Sequence, residues 1–151
     1  MNNKQHMNSA ILSALQGIMD NDGGPFGSVI VKGDKMISVA HNTVLRDNDP
    51  TCHGEMNAIR AACKILGTYD LSGCELYTTA YPCPMCLGAI RWANIGKVYY
   101  GCRLEDTENI GFRDLDFQDT KEFVRNSMSE VNRNECLDLF NKYVELDRDR
   151  Y

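Results

Sequence analysis

Two short clusters constrain this chain more than anything else in it: His53-Gly54-Glu55, and Pro82-Cys83-Pro84-Met85-Cys86. A Cys-x-x-Cys pair can be one knuckle of a structural metal site, a dithiol redox couple, or two ligands of a catalytic metal. Its meaning sharpens because each cluster stands where a helix is expected to begin. Pro84 suits a first helical turn, where its missing N–H is no loss, and a Cys83 thiolate gains from the positive end of the helix macrodipole. His53 precedes a segment in which Met56, Ile59, Ala62, Cys63 and Leu66 recur at three- and four-residue spacing until Gly67 stops it.

Around these clusters the pattern alternates. Met7, Ile11, Ala14, Leu15, Ile18 and Met19 read as the apolar face of an opening helix, which the Asn-Asp-Gly-Gly-Pro stretch at 21–25 ends. Ser28–Lys32 and Met36–Ala40 flank Gly33-Asp34 and read as an antiparallel hairpin. Asn42–Thr51 is a polar loop, Glu75–Thr79 a strand, Pro84–Ala93 a helix, Lys97–Tyr100 a strand and Glu135–Tyr151 a last helix. Strands interleaved with helices point to a layered α/β fold, and one domain spanning 1–151 accounts for the 151 residues. With 43% hydrophobic and 25% charged residues the chain is not disordered. Its apolar runs fall far short of the ~20 residues of a membrane span.

A net charge of −5 with no basic cluster weighs against nucleic acid as a partner. Met1–His6 leads into a mixed segment without a signal-peptide pattern, so a cytoplasmic location is the default expectation. There, seven cysteines are more often buried hydrophobes, ligands or nucleophiles than disulfides.

Two thiolates and a neutral imidazole supply three ligands to zinc and leave a fourth position for water, the arrangement of catalytic sites. Zinc lowers the pKa of bound water from ~15.7 toward ~7. Glu55, in the same entrance turn as His53, is placed to take a proton and deliver it to a leaving group. A closed structural site would need a fourth ligand, for which Cys52 is the nearby candidate. On composition alone Glu55 answers a helix dipole, Asn42 bonds its own backbone in a turn, and Asp114 sits in a solvated acidic surface. His6 and His41 read as exposed polar groups, Trp92, Tyr77 and Tyr99 as packing residues, and Cys63, Cys74, Cys102 and Cys136 as core fillers.

His-x-Glu followed by Pro-Cys-x-x-Cys is the signature of zinc-dependent nucleobase deaminases. The chain resembles the cytidine and deoxycytidylate deaminase superfamily, and within it the guanine deaminase branch. The likeness runs through Gly23-Gly24-Pro25-Phe26-Gly27, Asn48-Asp49-Pro50-Thr51, Ala58-Ile59-Arg60, Cys83-Pro84-Met85-Cys86-Leu87-Gly88-Ala89-Ile90, Gly111-Phe112 and the final Tyr151. It implies a three-layer α/β/α sandwich of the cytidine-deaminase type with a central mixed sheet of about five strands. It further implies zinc on His53, Cys83 and Cys86, Glu55 as proton shuttle, Asn42 and the backbone of Gly54 against a purine ring, Phe26 beside it, and Asp114 and Tyr151 near the substrate.

The reaction implied is hydrolytic deamination of free guanine to xanthine and ammonia, by a homodimer that exchanges its carboxy-terminal segments. Two positions depart from the branch. Gly54 stands where the family usually has alanine, and Tyr81 where guanine deaminases typically carry a glutamate. Cytosine or a related pyrimidine, suggested by Gly54 and by the Tyr77-Thr78-Thr79 lead-in to Pro82-Cys83, is the alternative substrate. A tRNA adenosine deaminase shares the motif but not the expected charge, and a structural zinc-binding module or a dithiol redox protein are alternatives of another class.

Overall fold

The computed structural model describes residues 2–151. Its strands are β1 (Gly27–Lys32), β2 (Lys35–His41), β3 (Cys74–Ala80) and β4 (Lys97–Cys102). Its helices are α1 (Asn3–Met19), the short α2 (Val44–Asp47), α3 (Gly54–Leu66), α4 (Pro84–Trp92), α5 (Leu104–Asn109), α6 (Lys121–Ser127) and α7 (Arg133–Glu145). The chain divides into two compact units, one ending at Gln118 and one spanning Asp119–Tyr151.

In the first unit the strands form one mixed sheet in the order β2-β1-β3-β4. β1 pairs antiparallel with β2 and β3, and β3 pairs parallel with β4, across the α4 crossover that a parallel pair requires. Gly33, at φ 60°, turns the expected β1–β2 hairpin. The sheet has four strands instead of about five. Past β4 the backbone N–H of Arg103 donates to the Asp106 carboxylate at 2.8 Å, which caps α5 and turns the chain into helix.

Side-chain alternation along the strands builds the three expected layers. Val29, Val31 and Tyr77 pack with Ala10 of α1 on one face. Ile30, Cys74 and Leu76 pack with Ala58 and Ala62 of α3 and with Ile90 of α4 on the other. The face that α1 buries is not the one its large apolar residues suggest. His6, Ala10, Ala14 and Gly17 face the sheet, whereas Ile11, Leu15, Ile18 and Met19 are exposed. Close approach decides this: a Cβ on Gly27 would lie 2.0 Å from the Ala10 carbonyl oxygen, so only small side chains fit where α1 crosses the start of β1.

Other expectations also change. His6 is 3% exposed, tilted against the Tyr77 ring at 5.1 Å, because it lies on that small-residue face. Trp92, on the last turn of α4, is 68% exposed, and Cys102 and Cys136 are exposed, on an edge strand and on α7. In the second unit the last helix runs Arg133–Glu145 and stops well before Tyr151, where Asp147 takes φ 50°. No residue of that unit is buried.

Candidate functional site

α3 and α4 lie on the same face of the sheet, and each begins at a prospective ligand: His53 caps α3 and Cys83 caps α4, both with extended backbone, while Cys86 sits one turn inside α4. The His53 Nδ1 atom is 3.5 Å from Cys83 Sγ and 3.6 Å from Cys86 Sγ, and the three ligand atoms lie within 4.8 Å of one another. Tetrahedral zinc with ordinary Zn–S and Zn–N bonds sets its sulfur and nitrogen ligands about 3.6 Å apart, so both imidazole–sulfur separations match those of zinc ligands. The Cys83 thiol is pulled down to about 4, chiefly by the Cys86 hydrogen bond and then by His53, while Cys86 is pushed up as the member that keeps the proton.

Cys52 does not join them. Its sulfur faces the Arg60 guanidinium at 3.8 Å, and no fourth protein ligand appears in the cluster among the described residues. A closed structural site therefore lacks its last ligand.

The loop that delivers His53 is tied down from both sides. Asp49 Oδ1 accepts from the backbone N–H of Thr51 at 2.8 Å and from its hydroxyl at 2.7 Å, closing the turn before His53. Asn57, one turn into α3, donates from Nδ2 to the His41 carbonyl and the Thr43 hydroxyl, both at 2.9 Å, and more weakly to the Cys52 carbonyl. One carboxamide thus links the end of β2 to the segment bearing His53.

Glu55 is 5% exposed and points inward from the first turn of α3. Burial pushes its carboxyl above the usual range, partly opposed by hydrogen bonds from Cys86 and Thr78. Its Oε1 accepts from the Ser28 hydroxyl at 3.2 Å and the Thr78 hydroxyl at 3.0 Å. A buried carboxyl beside a metal position, able to hold or release a proton, is the equipment of a general acid–base.

The remaining expected residues are placed as follows. Phe26 is half-buried, edge-on to Phe112 at 4.9 Å. Asn42 is 5% exposed, and its Oδ1 accepts from the Val44 N–H at 3.1 Å, which fixes the way its amide points. Gly54 is pressed against β1: a Cβ there would lie 3.0 Å from the Phe26 carbonyl oxygen. The Asp114 carboxyl is raised first by burial and then by Cys83, with His53 opposing, which sets it within electrostatic reach of the ligands. Tyr151 belongs to the second unit and is 79% exposed. Tyr81 packs edge-on against Tyr100 at 5.2 Å. His41 is held between Ser13 at 3.0 Å and Asp22 at 2.8 Å, not free in solvent. The sequence alone assigns Ser28, Thr78 and Asn57 no contact with Glu55 or with the His53 segment. The available signal was a hydroxyl at an inward strand position, in phase with Ile30 on β1 and with Leu76 on β3.

Residues 1–102 match the family described as the cytidine and deoxycytidylate deaminase zinc-binding region. Over 114 residues, 76% of this chain and 73% of the relative, the sequence is 47% identical to a guanine deaminase of Bacillus subtilis. It is 50% identical over 76 residues, half of each chain, to a tRNA-specific adenosine deaminase of Aquifex aeolicus. The X-ray structure of guanine deaminase from Bacillus subtilis superimposes with a TM-score of 0.87 at 37% identity, covering 100% of this chain and 99% of that one.

Proposed function

The chain belongs to the cytidine and deoxycytidylate deaminase family, with a zinc-dependent hydrolytic deaminase domain, and on that premise we propose that it converts free guanine and water to xanthine and ammonia. The observation that carries this reading is the convergence of His53, Cys83 and Cys86 on one point with the buried Glu55 carboxyl beside it. Zinc held by those three residues supplies a Lewis acid that makes water a nucleophile near neutral pH. Glu55 takes the proton that water gives up and returns it to the amine nitrogen that leaves.

The other residues hold the base. Asn42, its oxygen committed to Val44, presents its amide N–H groups to an acceptor on the ring. The Gly54 backbone approaches the ring where no side chain intervenes, Phe26 braced by Phe112 lies along its face, and Asp114 accepts from ring N–H groups. Guanine as substrate is supported by likeness to the Bacillus subtilis enzyme over most of both chains. It places the reaction in purine salvage or breakdown.

The functional assembly in this reading is a homodimer with exchanged carboxy-terminal segments, each Tyr151 closing the partner's pocket. In support, the second unit leaves Phe123, Met128, Phe140 and Val144 each more than 40% exposed, a surface that helices of this length do not sustain in water alone. A cytoplasmic setting keeps all the cysteines as free thiols, as the ligand pair requires. Among the described residues no helix is long and apolar enough to cross a membrane.

The test is ammonia release from guanine, cytosine, adenine, guanosine and cytidine by zinc-analysed protein, with Glu55→Gln in parallel. Guanine is turned over fastest, and Glu55→Gln keeps its zinc while losing about 10²–10⁴ in kcat, the contribution of a positioned acid–base group. A preference for cytosine replaces the substrate assignment. Full activity of Glu55→Gln removes Glu55 from the chemistry, and light scattering that shows a monomer at all concentrations removes the exchange.

A further inference from the structure

We propose that Ser28 and Thr78 are positioning residues which clamp Glu55 by one oxygen and thereby assign proton carriage to the other. The inference rests on the deaminase reading above and goes beyond it. Ser28 and Thr78 are direct cross-strand partners between β1 and β3, and both are completely buried. Both hydroxyls donate to the same atom, Glu55 Oε1, at 3.2 and 3.0 Å, and neither reaches Oε2.

Each hydroxyl has one hydrogen, and both hydrogens are committed to Oε1. With the carboxylate ionised, Oε1 is the acceptor of two hydrogen bonds. With a proton on Oε2, Oε1 becomes the carbonyl oxygen of the acid and still accepts both. The clamp is therefore satisfied in either protonation state. A proton arrives from water at Oε2 and departs from Oε2 to the leaving nitrogen, with no bond in the clamp broken and no net change in Glu55. A proton on Oε1 would instead have to be donated to one of the two hydroxyls, turning that hydroxyl's own hydrogen away from Oε1 and leaving a buried O–H without the acceptor it has here, which is costly in a site closed to water. The paired hydroxyls thus select one oxygen and hold the side chain still while it works, the preorganisation that proton transfer rewards.

The experiment uses zinc-loaded full-length protein and three variants. Thr78→Val keeps the shape and removes the hydroxyl, Thr78→Ser keeps the hydroxyl, and Ser28→Ala tests the partner strand independently. Thr78→Val and Ser28→Ala each lower kcat about tenfold, as expected for one hydrogen bond to a charged group. KM and zinc content stay at the wild-type level, and Thr78→Ser retains near-wild-type kcat. Infrared difference spectra of each protein against its Glu55→Gln counterpart show the Glu55 carboxyl bands displaced in Thr78→Val and Ser28→Ala but not in Thr78→Ser. Unaltered kcat and bands in Thr78→Val and Ser28→Ala overturn the clamp, as does a rate loss that Thr78→Ser shares or that follows zinc loss. A wild-type protein inactive on every base overturns the deaminase reading, and the infrared comparison then still decides the clamp.

Discussion

Replacing Gly27 by alanine tests the tightest contact in the fold. The added Cβ would sit 2.0 Å from the Ala10 carbonyl oxygen and 3.0 Å from the Ala14 backbone nitrogen, all of it α1 main chain with no rotamer to turn aside. Reaching even a 3.0 Å separation moves α1 outward by about 1 Å, and a gap of that size forfeits about a quarter to a half of each dispersion contact it opens. The contacts at stake are those of Ala10, fully buried, with Val29, Val31 and Tyr77. Overpacking of this kind costs about 1–3 kcal/mol, and rigid backbone on both sides sets Gly27→Ala at the upper end, about 3 kcal/mol. For a chain of this size that lowers Tm by about 6–12 °C. Urea titration followed by far-UV circular dichroism reads the change. Gly88→Ala is the control: its Cβ would meet nothing within 4 Å in the interior of α4, and the exchange gains about 0.8–1 kcal/mol of helix propensity. A Gly27→Ala protein within about 0.5 kcal/mol of wild type, inside the range of ordinary surface substitutions, would refute the argument that this approach dictates which face α1 buries.

Two further perturbations act on the site through its supports. Gly23→Ala would place a Cβ 2.1 Å from Asn42 Oδ1 and so displace the carboxamide from Val44. Steady-state kinetics on guanine should show KM raised about tenfold, the value of one lost hydrogen bond, with kcat less affected; unchanged KM removes Asn42 from base binding. Asn57→Ala unties the His53 segment from the end of β2. Competition against a chelator should then show zinc held about tenfold more weakly, as is typical when a support of a ligand is lost, and wild-type affinity would show that the loop holds its shape without Asn57.

What the sequence discloses and what it conceals divide along a physical line. The positions of the prospective zinc ligands are legible because each carries its own local signal: Pro84 marks the start of α4 beside Cys83, and Gly67, at φ 68°, marks the end of the helix that His53 opens. Hydropathy points to the wrong face of α1 because it favours large side chains, whereas a Cβ on Gly27 would meet the Ala10 carbonyl and one on Gly17 the His41 ring, so small residues are required at both places. A fifth strand has no segment of its own in the sequence, and the apolar residues that mark the last helix end at Leu146, so nothing in the pattern carries it on to Tyr151. The deepest omission was Ser28 with Thr78, and its cause is register. Nothing local ties residue 28 to residue 78; the pairing exists because β1 and β3 align Val29 with Tyr77 and Ile30 with Leu76, each pair buried on its own face of the sheet. A slip of one residue in β1 would turn Val29 toward α3 and Ser28 toward α1, exchanging two hydroxyl donors for one at Glu55. The apolar contacts with α1 and α3 that forbid the slip therefore also fix the chemistry, so packing on both faces of the sheet determines how a single carboxylate is held.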